Sequence, residues 1–569
     1  MMEMMIKMMI RMMMMMRMKM MAWILSCGLL AAAGLPAAEA PPPVRAADVV
    51  VYGGTSAGVM AAVAAARADC SVILIVPDGH IGGTTTGGLG QTDMGGALSG
   101  MSRDFYQRVY RYYERPAAWV HETRDDYLNA DGYDYWALEG RGWSRRWRDG
   151  AAFTFEPSAA AAVMHDLLAE TAVAVILNER LDRAGGVVMA DRRIVRIGME
   201  SGLVIRGRVF IDATYEGDLM AAAGVPYVVG REANSRYGET FNGVQTVRAT
   251  KHQLPPGIDP YIIPGDPASG LLPGIDPDGP GAEGEGDHRV QAYNIRLTLT
   301  DVPANRVPFS RPDDYDERRY ELLLRAYAAG YDQVPLHAAR MPNRKTDVNN
   351  SGGFSTDYIG ANYAYPEASH AERERIAAAH RSYIRGLLWT IAEHPRVPSA
   401  VRARVADWGF AADEFAGHGH LSPQVYVREA RRMVSDYVMT EADVTGQRAA
   451  PDPVAVGGYQ IDSHNTQRYV DAAGHVRNEG DLQTRAVPYG ISYRALVPGA
   501  GAARNLLVPV CVSASHVAYG TIRMEPGFMQ LGQVAGLAAA LALEADGDCQ
   551  ALAYATLRAR LEAAGLILP

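Results

Sequence analysis

Beyond residue 47 the chain runs through an apolar stretch ("DVVVY"), a glycine-rich turn, an alanine-rich stretch from Ala57 to Ala68, and a second apolar run from Val72 to Val76. Short unbroken apolar runs between turn residues mark strands buried on both faces, and small residues let a helix pack closely on a sheet. The pattern predicts a β-α-β unit with strands at Asp48 to Tyr52 and Val72 to Val76. A helix from Ser158 to Thr171 leads into a strand "VAVIL", and short hairpin strands follow, ending in a buried strand Val209 to Asp212. Near the C-terminus the same texture returns: a strand "NLLVPVCVSA", a loop holding His516 and Arg523, and a helix Phe528 to Glu544.

Between these ends the texture changes. Residues 101–150 are aromatic and charged and read as a helical insertion; residues 251–290 are rich in Pro, Gly and Asp and read as a loop. Residues 241–487 mix strands ("YNIRLTLTD") with amphipathic helices ("HAERERIAAAHRSYIRGLLWTIAEH"). The expected organisation is a leader at 1–40, a nucleotide-binding domain at 41–240 that is completed by 488–569, and a substrate or cap domain at 241–487. This is an α/β fold assembled from discontinuous segments, with an α+β substrate domain. The leader reads as an export signal: basic Lys19, an apolar run Ala22 to Leu35, and an A-x-A site ending at Ala40. That implies a periplasmic or secreted protein; the run is too short for a stable membrane span. The methionine tract before it, Met1 to Met18, fits a start assigned too early.

With 48% hydrophobic residues and 58 glycines, disordered and fibrous classes are excluded, and a net charge of -9 argues against nucleic acid as a partner. Lysine occurs four times (Lys7, Lys19, Lys251, Lys345), leaving little scope for Schiff-base chemistry. Cleavage of the leader leaves Cys70, Cys511 and Cys549, enough for one disulfide at most.

The turn "GGTSAG" allows two enzymes. As G-x-G-x-x-G it is a dinucleotide cradle with Thr55 at the middle position; as G-x-S-x-G it is a nucleophile elbow with Ser56 as the attacking group. An elbow needs several strands and an oxyanion loop before it, and here the motif sits on the first strand after the leader. The cradle is preferred, with Ser56 facing a phosphate at the start of a helix. Gly54 is expected to absorb the close approach that Thr55 forbids. The acidic residue that usually takes the ribose is replaced by Val76, with Asp78 two residues late.

The segments "VVVYGGTSAG", "HIGGTTTGGLGQTD", "VFIDATYEGDLMAAAGVPYVVGREANSRYGETFNG", "NRKTDVNNSGGFSTDYIGANY", "VYVREARRMVSDYV", "QIDSHNTQRYV" and "NLLVPVCVSASHVAYGTIRMEPGFMQLGQVAGLAAALAL" occur in order along the chain. Together they resemble the FAD-dependent oxidoreductase family of exported bacterial flavoproteins, some of whose members carry the label xanthan lyase. The resemblance implies a Rossmann-like FAD domain of the fumarate-reductase and amine-oxidase type. On it, Gly53, Gly54, Thr55, Ser56, Ala57 and Gly58 hold the pyrophosphate, Pro77 ends the second strand, and Gly82, Gly83, Thr84, Thr85 and Thr86 pass beside the flavin. Ala213, Thr214 and Asp218 match a second flavin-side turn. Gly532, Gln533, Ala535 and Gly536 match a late helix whose N-terminus faces the flavin ring.

Oxidation of a C–H bond needs a group to take the substrate's proton, and His516 and His464 are the candidates. His464 lies between Asp462 and Asn465, which can orient it. Arg523 and Arg231 are candidates for fixing a carboxylate or hydroxyl-rich substrate, against salt bridges to Glu525 and Glu232. The polar run Asn343, Lys345, Asp347, Asn349 and Asn350 suits sugar hydroxyls, and Tyr493 with Arg494 is a weaker candidate. "GHGH" (His418, His420) and the acidic run Asp276 to His288 lack metal-ligand spacing, so no metal is expected. The expected activity is a dehydrogenase or oxidase passing hydride from a sugar, sugar acid or polyol to FAD, with an unidentified electron acceptor. The alternatives are a carbohydrate lyase using His464 and Tyr469, and a serine hydrolase using Ser56.

Overall fold

The computed structural model describes residues 43–93, 95, 98–130 and 147–569, together with residues 2, 8 and 13–15. Met1–Val44 forms one unit, and the expected leader and its cleavage site lie outside the described residues apart from scattered helical positions. Arg45–Pro569 forms the other unit.

Within it a seven-stranded sheet runs in the order β3-β2-β1-β6-β5-β4, comprising β1 (Val44–Tyr52), β2 (Val72–Val76), β3 (Ala174–Leu177), β4 (Val188–Ala190), β5 (Arg193–Gly198) and β6 (Val204–Asp212). The seventh strand, Leu506–Leu507, pairs in parallel with β6, so the C-terminal segment completes the N-terminal sheet. β1, β2 and β3 pair in parallel, and β4, β5 and β6 form an antiparallel meander. The unbroken apolar runs have a direct cause: Val49, Val51, Leu74 and Val76 face one core, and Val50, Tyr52, Ile73 and Ile75 face a second core across the sheet.

The helix α1 (Ser56–Arg67) is buried from Ser56 through Ala65. This follows from a late helix laid across it. A Cβ at Gly532 would stand 2.2 Å from the Ala57 carbonyl oxygen, and one at Gly536 2.3 Å from that of Ala61. Small residues on both helices therefore set a separation that no larger side chain permits. A second, five-stranded antiparallel sheet has the order β8-β11-β7-β10-β9, with β7 (Leu299–Thr300), β8 (Arg306–Val307), β9 (Leu336–Met341), β10 (Lys345–Asn350) and β11 (Gly409–Ala411). The amphipathic stretch forms α2 (His370–Glu393), N-capped by Ser369. The fold is α/β, a Rossmann-like sheet with additional antiparallel sheets.

Three local expectations are corrected. "NLLVPVCVSA" is a strand only at Leu506–Leu507; Val508 and Ser513 make backbone bonds to Leu496 and Ala495, and Cys511 to Met433, so its contacts go to two separate segments. Its apolar character reflects burial on every side, not ladder pairing. The expected loop with His516 and Arg523 is instead α3 (His516–Ile522), capped by the Ser515 side chain and closed by Arg523. The late helix, α4 (Glu525–Glu544), starts three residues before the expected position, with Pro526 in its first turn. Among the described residues α4 alone is long and apolar enough to cross a membrane, and it is buried throughout from Phe528 to Ala542.

Candidate functional site

The turn after β1 is held by contact rather than composition. Gly53 has φ +119°, and a Cβ there would lie 2.5 Å from the Ala213 carbonyl carbon; a Cβ at Gly58 would lie 1.9 Å from the Gly53 oxygen. Thr55 is the helix N-cap: its Oγ1 accepts from Gly58 N–H at 3.2 Å and donates to the Ala213 carbonyl at 2.7 Å. A capping hydroxyl thus occupies the position where the motif usually has glycine. Gly54 takes the close approach at the end of β2, where a Cβ would meet Val76 Cγ1 at 2.5 Å.

Ser56 is fully buried and its hydroxyl donates to Glu525 at 2.5 Å, inside a shell completed by Thr85 and Tyr215. The hydroxyl is thus committed to a carboxylate at the start of α4, which leaves the backbone N–H as the Ser56 group that can face a phosphate. Burial pushes the Glu525 carboxyl above its ordinary range, against the three hydroxyl hydrogen bonds that favour its charge.

Beside this turn a cleft of about 280 Å³ opens at the ends of β1 and β2, lined by Gly53, Gly54, Thr55, Pro77, Asp78 and Thr214. Val76 is fully buried, and Asp78, two residues on, lines the cleft together with Glu216, Asp218 and Glu374. Asp218 lines the far wall; burial opposes its charge, yet Arg373 at 2.6 Å and Arg431 at 2.8 Å hold its carboxyl down at about 2. In the loop at Gly82 to Thr86, Gly82 N–H donates to the Gly54 carbonyl at 2.6 Å, and the Thr84 hydroxyl is buried without a partner.

This loop runs onto a second group of buried polar residues. A Cβ at Gly88 would stand 3.0 Å from Arg296 Cβ, and Gln91 N–H donates to Asp347 at 2.9 Å. Arg296 bonds the same carboxylate at 2.7 Å. The guanidinium groups of Arg296 and Arg428 lie 5.6 Å and 4.7 Å from the centre of the Tyr426 ring, whose hydroxyl accepts from Arg523 at 3.1 Å. Arg523 also bonds Asp462 at 3.0 Å. His464 Nδ1 lies 2.7 Å from Asp357, and its Nε2 faces Asp462 at 3.5 Å. Burial and Arg428 push the His464 pKa down, but Asp357 and Asp462 outweigh them and hold it above the ordinary value. Asp481 completes the group, directly before β13 (Leu482–Thr484), which pairs in antiparallel with β12 (Ile461–Ser463). Both of its oxygens are buried without a hydrogen-bond partner, His252 Nε2 standing 4.0 Å from one of them, and burial pushes its carboxyl up to about 7.

His516 sits in a different network. Its Nδ1 is 2.8 Å from Glu429 and its Nε2 3.1 Å from the Ser463 hydroxyl, while Glu429 and Glu232 both pair with Arg432. Every one of these side chains has a partner, so the histidine braces α3 against the sheet segments beneath it.

Of the sequence candidates, the structure brings together His464, Arg523 and Asp347. Arg231 lies elsewhere, paired with Asp287 and Glu479, not with Glu232; Arg523 pairs with Asp462, not with Glu525. Tyr493 is buried with its hydroxyl on the Cys549 carbonyl, and Arg494 pairs with Asp452. The polar run at 343–350 is β10 and the turn before it: Asn343 bonds Ala118 and Glu156, and Lys345 pairs with Glu156, Asp413 and Glu414. Gln533 accepts from Met101 N–H at 2.7 Å, and Gly532, Ala535 and Gly536 lie buried on the helix packed against α1. Asn465 does not orient His464; Asp357 does. Arg296, Arg428, Tyr426, Asp357 and Asp481 went unnoticed in the sequence because no local motif marks them. Asp357, Tyr426 and Arg428 lay in segments that carried the family resemblance, but nothing in those segments singled them out.

The family model described as FAD dependent oxidoreductase matches residues 48–561, and the chain belongs to that family. No curated protein matches it. Solved structures with local similarity include L-amino acid deaminase from Proteus vulgaris (16% identity, 36% of this chain, 55% of that one, TM-score 0.22). Another is NikD, an amino acid oxidase of nikkomycin biosynthesis (15%, 33% and 57%, TM-score 0.22). A third is PqsL, a probable FAD-dependent monooxygenase from Pseudomonas aeruginosa (15%, 29% and 42%, TM-score 0.17). In each case the chain spans less than two thirds of the other protein's length. FAD is the cofactor that membership of this family implies, and the residues fit it: a glycine turn that no Cβ can enter, a cleft at the strand ends with Asp78 at its edge, and an orphaned Thr84 hydroxyl on the loop that follows. Gly53, Gly54, Thr55, Pro77, Asp78 and Thr214 would hold it.

Proposed function

We propose that the enzyme is a dehydrogenase or oxidase that removes hydride from a small hydroxyl-bearing substrate, of the sugar, sugar-acid or polyol class. The reading is carried by one observation: a buried imidazole, His464, held at 2.7 Å by Asp357, lies among polar atoms without partners. Bound FAD supplies the hydride acceptor. Nδ1 of His464 donates to Asp357, which fixes the tautomer and leaves Nε2 to accept the proton of a substrate hydroxyl. Asp462, 3.5 Å from Nε2, offsets the imidazolium charge as it forms. Because the His464 pKa is raised, the base form grows as pH climbs through it, and kcat/KM rises over the same range.

The test is anaerobic mixing of the FAD-loaded enzyme with a panel of sugars, sugar acids and polyols, following loss of the oxidised flavin absorbance. The expected outcome is bleaching by a subset of the panel, slowed roughly 10²–10⁴-fold in His464→Gln at full FAD content. Bleaching at an unchanged rate in that variant, or none with any member, removes the reading. We also propose that the chain acts outside the cytoplasm, from its basic, apolar and A-x-A leader pattern. N-terminal sequencing of exported protein checks it.

A further inference from the structure

The three arginines around Tyr426 are each at most 4% exposed, yet several of their N–H groups have no acceptor: Nε and Nη1 of Arg296, Nε and Nη2 of Arg428, and Nε of Arg523. Arg428 Nη2 does approach Asp357 Oδ1 to 2.9 Å, but off the hydrogen-bonding direction, so both atoms remain unsatisfied. Its Nη1 is committed to the Ala292 carbonyl. A buried charged donor without a partner costs more than a neutral one. Arg296 and Arg428 lie over the Tyr426 ring and Arg523 donates to its hydroxyl, so five donors without a hydrogen-bond acceptor gather around one side chain.

Acceptors are orphaned in the same group. Asp347 Oδ1, Asn294 Oδ1, Asp357 Oδ1 and both oxygens of Asp481 are buried without donors. The complement of this array is a molecule with a planar anionic acceptor at one end and hydroxyl donors at the other. A carboxylate presents two oxygens matched to guanidinium forks, and hydroxyl groups donate to the acids.

We propose that the substrate is a hydroxycarboxylate, with its carboxylate received by Arg296, Arg428 and Arg523 and its hydroxyls directed to Asp357, Asp481 and His464. This rests on the reading of the cluster as the substrate site and narrows it: neutral sugars and simple polyols fall outside the class. Arg523, singled out from the sequence, then acts together with two arginines that no motif marked. The pairing of Arg296 with Asp347, and of Asp347 with the Gln91 amide, ties the carboxylate end to the glycine-rich loop.

The experiment reads binding, so it stands apart from turnover. FAD-loaded enzyme is titrated with acetate, glycolate and D-gluconate, and in parallel with their neutral counterparts ethylene glycol and D-sorbitol, following the melting temperature and the flavin spectrum. The carboxylates are expected to stabilise the protein and perturb the spectrum, D-gluconate most; the neutral compounds are not. Arg428→Gln and Arg523→Gln are each expected to weaken carboxylate binding at least roughly tenfold. Where either variant fails to fold, the carboxylate-against-neutral comparison on the wild type decides the matter alone. Equal binding of D-sorbitol and D-gluconate, no binding of any carboxylate, or unchanged binding in folded variants overturns the proposal. Bleaching by D-sorbitol that still depends on His464 would overturn it while leaving the oxidoreductase reading intact.

Discussion

The two buried histidine networks are made of the same residue types and differ in one respect. Around His516, Glu429, Arg432, Glu232 and Ser463 satisfy one another. Around His464, Asp357, Arg428 and Asp481 leave oxygens and N–H groups without partners. The lesson is that burial and a carboxylate neighbour do not identify a catalytic histidine. A network that closes on itself fixes the positions of segments, and a network left open is shaped for something that is not protein.

The comparison breaks most sharply in the kinetics. His464→Gln is expected to lower kcat by roughly 10²–10⁴ with little change in melting temperature, whereas His516→Leu leaves the pH profile of the remaining activity unchanged. Stopped-flow flavin reduction across a pH series separates the two. Equal losses in both variants would erase the distinction.

The next effect concerns Asp481. A carboxyl held near 7 when folded binds its proton more tightly than in the unfolded chain. Stability is therefore lost as pH rises from about 4 toward 7, and Asp481→Asn escapes that loss. The variant is expected to gain roughly 4 kcal/mol over wild type above pH 7 and nothing near pH 4. Urea unfolding of both proteins at the two pH values measures it; a pH-independent difference would show that Asp481 carries no unusual proton.

His516→Leu strips Glu429 of one partner and is expected to cost about 3 kcal/mol, with Arg432 limiting the loss. Chemical denaturation at pH 7 reads this. Smallest is Gly536→Ala, where the new methyl would meet the Ala61 carbonyl oxygen. An overpacking cost of about 2 kcal/mol is expected in melting experiments, with the His464 pH profile intact. Loss of FAD out of proportion to stability would instead give that face of α4 a cofactor role.

The N-terminal half of the cradle was legible because its information is local. β1, the turn, α1 and β2 follow one another, and the two apolar runs flanking the glycine turn are strands covered on both faces. Thr55 looked like a defect in the motif and proves to be the helix cap, a role its residue type permits but its position did not announce. Gly532 and Gly536 were read for the cofactor from their place in a family segment; which side of α4 meets α1 was not in the pattern.

What the sequence determined by itself is therefore the β-α-β unit, the return of the C-terminal segment to it, and with these the flavoprotein class. The tertiary structure alone decided the substrate side. Arg296, Asp357, Arg428, His464, Asp481 and Arg523 come from segments separated by tens to hundreds of residues. Their partners depend on which buried charges end up within a few ångströms of each other. Periodicity reports which face of an element is buried; it does not report which buried acid meets which buried base, and that pairing sets the proton affinity of His464 and leaves the arginines unsatisfied.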